Sequence, residues 1–192
     1  MIIVTDVECL THEPTFIEMP FSKEQYMLEF IKYAQPSELG QLSENIVGAL
    51  YQFQNPPTNE YDFKSLTGRI EIKSSRAYSH KGKRSMCTIK ELITDESYDC
   101  NIQHIKKKLF DYLYYVIFCK DGLQILRMPK RKINKSIGYS DSQQRNHLGN
   151  GQFHLNYKTY PKHIDYILEE IPYEEIYNVL DKEKGFVHRT HA

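Results

Sequence analysis

Two apolar runs limit the fold more than any other feature of this chain. LYYVIFC (113–119) and LQILRM (123–128) flank Lys120-Asp121-Gly122. Short apolar runs bounded by turn residues read as two buried strands joined by a turn. The longer stretch, Tyr112 to Cys119, is too short to cross a bilayer as a helix, so no membrane association is expected.

Upstream, residues 23–34 (KEQYMLEFIKYA) read as a helix with Ser22 as N-cap. Residues 38–53 read as a second helix, capped by Ser37, with Leu39, Leu42, Ile46 and Leu50 on one apolar stripe. Asn55-Pro56-Pro57-Thr58-Asn59 breaks it. Residues 101–111 also look helical. Residues 129–150 look irregular, QFHLN (152–156) looks like a strand, and the acidic amphipathic tail from Lys162 to Lys184 looks helical. Helices and strands alternate coarsely. This predicts an α/β layer fold, a central mixed β-sheet flanked by helices, in a single domain over residues 1–192.

The 192 residues suffice for one full core. The 25 basic and 25 acidic residues balance, which argues against non-specific coating of nucleic acid but leaves room for a local basic groove. Cys9, Cys87, Cys100 and Cys119 are scattered and form no CxxC pair, so reduced thiols and a cytoplasmic setting are expected. The opening MIIVTDVECL lacks a basic n-region and a long apolar run, so no signal peptide is expected. No Walker loop, GxGxxG or GxSxG is present, and no nucleotide cofactor is expected.

The chemistry concentrates in a hairpin signal. EYDFK and RIEIKSS alternate in polarity across Ser65-Leu66-Thr67-Gly68. Closing that turn sets Phe63 opposite Ile70, Asp62 opposite Glu71 and Glu60 opposite Lys73. Tyr61, Phe63, Ile70 and Ile72 then share a core face, and Glu60, Asp62, Glu71 and Lys73 share the other. Directly opposed carboxylates repel. A divalent cation between them turns repulsion into ligation, and Mg²⁺ suits two carboxylates plus a phosphodiester. Lys73 is placed to stabilise developing negative charge or orient water, and the Ile72 carbonyl is a further candidate ligand. The bland alternative is a solvated strand face with Glu60 paired to Lys73.

With these residues in view, the segment YDFKSLTGRIEIKSSR resembles the PD-(D/E)XK nuclease superfamily, particularly type II restriction endonucleases. The matching residues are Asp62 and Glu71-Ile72-Lys73, with Tyr61 in place of the proline that often precedes the first acid. The resemblance implies a restriction-endonuclease-like fold, Mg²⁺ (with Mn²⁺ able to substitute) on Asp62 and Glu71, and Lys73 assisting the hydrolytic water. Its specific part covers residues 38–76. The family often adds a Glu from an upstream helix. Glu44 is the candidate, and Glu38 and Glu60 are alternatives.

Arg76, Lys81, Lys83, Arg84 and Lys90 follow the catalytic strand with no acidic residue among them, which suits phosphate contact. A second basic run is Arg127, Lys130, Arg131, Lys132 and Lys135. The polar segment after it carries Gln143, Gln144, Arg145, His147, Gln152 and His154, side chains able to meet base edges. An ordinary long surface loop is the equal alternative. The histidines are too scattered for a zinc site. The expectation is a type II restriction endonuclease from a restriction-modification system, acting on double-stranded DNA as a homodimer. The rivals are a structure-specific repair or Holliday-junction nuclease, and a catalytically silent DNA-binding protein.

Overall fold

The computed structural model describes residues 22–182 apart from 57, 59, 82–84 and 143–147. Helix α1 spans Lys23–Tyr33. Ser22 caps it reciprocally with Gln25: the Gln25 N–H donates to Ser22 Oγ at 3.2 Å, and the Ser22 N–H donates to Gln25 Oε1 at 3.0 Å. Helix α2 spans Pro36–Tyr51 and begins before the expected Ser37 cap. Gln35 occupies the cap position, and Pro36 supplies a preset φ where no N–H is needed. Glu38 accepts the Gln35 N–H at 2.6 Å, so its carboxylate serves the helix end.

The strands, in chain order, are β1 (Phe63–Ser65), β2 (Gly68–Arg76), β3 (Tyr78–Ser79), β4 (Ser85–Met86), β5 (Tyr98–Ile105), β6 (Tyr112–Phe118), β7 (Gly122–Pro129), β8 (Tyr139–Ser142), β9 (Leu148–Leu155) and β10 (Ile167–Pro172). A short helix α3 (Glu91–Thr94) precedes β5, and α4 (Tyr173–Lys182) follows β10. The architecture is mixed α/β with two five-stranded sheets. The first has the order β1-β2-β6-β7-β10, with β2 and β6 parallel and its other pairs antiparallel. The second has the order β4-β3-β5-β9-β8.

The apolar runs become β6 and β7, antiparallel, with Phe118 opposite Leu123. Alternation along β6 explains why the run is apolar throughout. Tyr114, Val116 and Phe118 pack with Ile31, Ile46 and Val47 of the helices. Leu113, Tyr115 and Ile117 pack with Cys100, Ile102 and Phe153 of the second sheet. Each such side chain contributes roughly 1.5–3 kcal/mol of transfer free energy on burial. Helices therefore cover one face of the mixed sheet, and a second sheet covers the other, where the sequence predicts a single central sheet flanked by helices. At Gly151 a Cβ would stand 2.0 Å from the Tyr139 hydroxyl, so only glycine lets that ring lie across β9.

One expected helix is a strand, and another is helical only in part. Residues 101–111 fall in β5 and the turn after it, because Tyr98, Cys100 and Ile102 are buried at every second position. The tail from Lys162 begins in a 3-10 segment (Tyr160–Tyr166), continues as edge strand β10 and becomes helical only at α4. The described cysteines, Cys87, Cys100 and Cys119, are free and buried.

Candidate active site

Strand β1 pairs Phe63 with Ile70, Lys64 with Arg69 and Ser65 with Gly68, the register read from the sequence. The ladder then stops. Asp62 lies just outside it, its N–H donating to the Ile70 carbonyl at 3.0 Å. Beyond this point the β1-side edge of β2 has no strand partner among the described residues. The Asp62 carboxylate does what a strand would have done, accepting the Ile72 N–H on Oδ2 at 2.5 Å. The Ile72 carbonyl points to the same open edge, since a strand residue's N–H and C=O face one side.

Glu71 is only 7% exposed, and its Oε1 lies 2.5 Å from Lys73 Nζ. The same ammonium donates to the Ile72 carbonyl at 3.0 Å. Lys73 thus bridges a carboxylate and the backbone oxygen beside it. Glu44 enters from α2, and the charges of Asp62, Lys73 and Glu71 all act on it. Glu44 lines one cleft with Lys73 and another with Asp62, so the four side chains predicted for the site lie in one region around β2. Glu60 is exposed, and its charge is felt at Arg69; Lys73 pairs with Glu71 instead, which corrects the Glu60–Lys73 pairing.

Burial first, then the Asp62 charge, pushes the Glu44 carboxyl up to about 7. Burial also raises Glu71, and Lys73 offsets this only in part. Carboxylates that resist ionisation here gain from a cation, so the donor chemistry of Asp62, Glu71 and the Ile72 carbonyl fits Mg²⁺. Among the described residues no three His, Cys, Asp or Glu side chains assemble into a metal-binding group by themselves. The fit thus relies on the backbone oxygen together with water and phosphate oxygens, as is usual for Mg²⁺.

A raised carboxyl has a definite linkage sign. The folded state holds the Glu44 proton more tightly than the unfolded chain, so stability falls as pH rises from about 4.5 to about 7. We expect Glu44→Gln to be more stable than wild type at pH 8 by about 1–2 kcal/mol, allowing for partial solvent exposure, and nearly equal at pH 4. Urea unfolding at the two pH values checks this. A difference that does not change with pH would refute the assignment.

A cleft of about 460 Å³ opens beside the site, lined by Glu44, Lys73, Asp99, Asn101, Gln103 and His104 among others. Sequence reasoning did not single out these β5 residues, because the segment was read as a helix. Lys106 was not singled out either, yet its charge reaches Glu71.

The expected DNA contacts scatter. Arg76 lines the cleft, but its guanidinium donates to the Ile31 and Ala34 carbonyls at the end of α1. Arg76→Ala should therefore cost about 2–3 kcal/mol in urea unfolding and leave the salt dependence of DNA binding unchanged. A shallower salt slope at unchanged stability would reverse that view. Lys81 pairs with buried Asp95 at 2.9 Å. Arg127 stacks 4.1 Å above the Tyr112 ring. His154 is exposed and bonded through Nδ1 to Asn101, and Gln152 is half-buried on β9. Lys83, Arg84, Gln143, Gln144, Arg145 and His147 lie outside the described residues.

No known protein family, curated protein or solved structure matches the chain.

Proposed function

We propose that this protein is a Mg²⁺-dependent endodeoxyribonuclease of the PD-(D/E)XK kind, acting as a type II restriction endonuclease on double-stranded DNA. One observation carries the reading: Glu44, Asp62, Glu71 and Lys73 converge at the open edge of β2. The element order supports a restriction-endonuclease-like fold. An acid-bearing helix precedes the hairpin, and the ExK strand lies parallel to a later central strand.

Each residue has a chemical task. Asp62, Glu71 and the Ile72 carbonyl would hold Mg²⁺. When bound, the ion would polarise the scissile phosphodiester and lower the pKa of the attacking water. Lys73 donates hydrogen bonds toward the charge that develops on the phosphate oxygens. Glu44, titrating near neutrality, is suited to accept a proton from water. Mn²⁺ would substitute, and no nucleotide cofactor is required. A homodimer suits a symmetric duplex site. No described helix is long and apolar enough to cross a membrane; a cytoplasmic setting is part of the proposal.

The test is cleavage of methylation-free plasmid and phage DNA with Mg²⁺. Discrete fragments support restriction. Cutting confined to junctions or flaps moves the same site to repair or resolution. Duplex binding without cutting in Mg²⁺ or Mn²⁺ favours a catalytically silent DNA-binding protein.

A further inference from the structure

The second sheet contains an irregularity beside the candidate site. On β5, Ile102 pairs with Phe153 and Ile105 pairs with Gly151, so Gln103 and His104 together oppose Gln152. One extra residue is inserted. Regular alternation from Tyr98, Cys100 and Ile102 would turn His104 inward. The bulge instead leaves Gln103 and His104 both exposed and returns Ile105 to the core at 0% exposure. His104 achieves this with φ at +59°, in the left-handed region.

A bend alone would be met with less strain by glycine. The chain keeps an imidazole there, with a carboxamide next to it, on the wall of the cleft that holds Glu44 and Lys73. The neighbouring polar groups are committed. Asn101 donates to Asp99 Oδ2 at 3.3 Å and is bonded to His154. Gln103, by contrast, makes no side-chain hydrogen bond among the described residues and is presented to the cleft with both amide functions available. A glutamine so placed matches the paired acceptor and donor of an adenine edge in the major groove.

We propose that the Gln103–His104 bulge is the base-reading element of this cleft, with Gln103 specifying an A·T pair and His104 holding the adjoining contact. The inference rests on the DNA-cleaving reading above and adds the residues that would select the sequence. Bulges are used to re-aim side chains next to active sites, and local strain is retained where it serves function.

The experiment is selection of bound duplexes from a random double-stranded DNA pool, with Ca²⁺ replacing Mg²⁺. Wild type, Gln103→Ala and His104→Gly are compared, each with its thermal midpoint. The expected result is a defined wild-type motif containing an A·T pair whose preference drops about tenfold or more in Gln103→Ala. His104→Gly should relax the motif too while its thermal midpoint holds or rises, since glycine relieves the positive φ. A purely structural bulge would lower the midpoint and leave the motif alone. An identical motif in all three proteins would overturn the inference and leave the nuclease reading standing. Wild-type binding without any motif would also overturn it, and would point to structure-specific cutting. No duplex binding by wild type would bring down the proposed function, and the inference with it.

Discussion

Lys73→Ala should lower DNA cleavage about 10²–10³-fold at saturating Mg²⁺ while the protein still folds and binds duplex DNA. The ammonium lies 2.5 Å from Glu71 Oε1 and 3.0 Å from the Ile72 carbonyl, a donor fixed where phosphate charge would build. Its removal also strips buried Glu71 of its counter-charge. The Glu71 carboxyl, already raised by burial, would rise further and take up a proton rather than remain as an unpaired buried charge. The residual activity of Lys73→Ala should therefore appear only at higher pH than in wild type. Single-turnover cleavage across a pH series would show both effects. Lys73→Arg should rescue little, because a planar fork cannot take the place of a compact ammonium bridging two oxygens. Undiminished cleavage by Lys73→Ala would remove this lysine from the chemistry.

Asp62 is best tested by two substitutions, because its carboxylate has two tasks. It accepts the Ile72 N–H at 2.5 Å, and its charge acts on Glu44 and Glu71. Asp62→Asn keeps an oxygen for the N–H and removes the charge. We expect it to fold normally, to lose about 10²-fold or more in activity, and to bind Mg²⁺ weakly by calorimetry. Asp62→Ala also leaves the Ile72 N–H without its partner, which should cost about 1–3 kcal/mol in urea unfolding. A side-chain NMR titration gives an independent readout. In Asp62→Asn the Glu44 carboxyl should titrate lower than in wild type, since a charge that opposed its ionisation is gone. An unmoved Glu44 titration would show that the two groups are not neighbours, and the site would have to be redrawn.

The hairpin of the candidate site was legible in the sequence because its geometry is local. Phe63 and Ile70 alternate with polar neighbours around a short turn, which fixes the register and brings Asp62 beside the strand of Glu71 and Lys73. Glu44 was a candidate only through the family resemblance, and nothing local says that it reaches the open edge of β2. Other features depend on contacts distant in sequence. The bulge at Gln103–His104 interrupts the alternation of β5, which hides the strand period from a local reading. β10 pairs at the edge of the sheet with five of its six positions exposed or half-exposed, so its pattern resembles that of an amphipathic helix. Arg76 was read as a phosphate ligand because its role at the end of α1 depends on a helix more than forty residues earlier. The second sheet itself could not be foreseen, because β3 and β4 are only two residues long and the pairing of β5 with β9 is tertiary.

The parallel pairing of β2 with β6 bears on the order in which the protein becomes active. Between these strands the chain builds β3, β4 and β5, and β1 offers β2 only a three-residue ladder. Non-local pairings of this kind bear the loop-closure cost before any contact repays it, so they are expected to form slowly. During synthesis β2 must wait for β6 to emerge before its full length is paired. The strand carrying Glu71 and Lys73 is therefore rigid only when most of the molecule is already in place. Under the proposed function, cutting ability should arrive late in folding, and partly made or proteolytically shortened chains ending before β6 should be inert toward DNA.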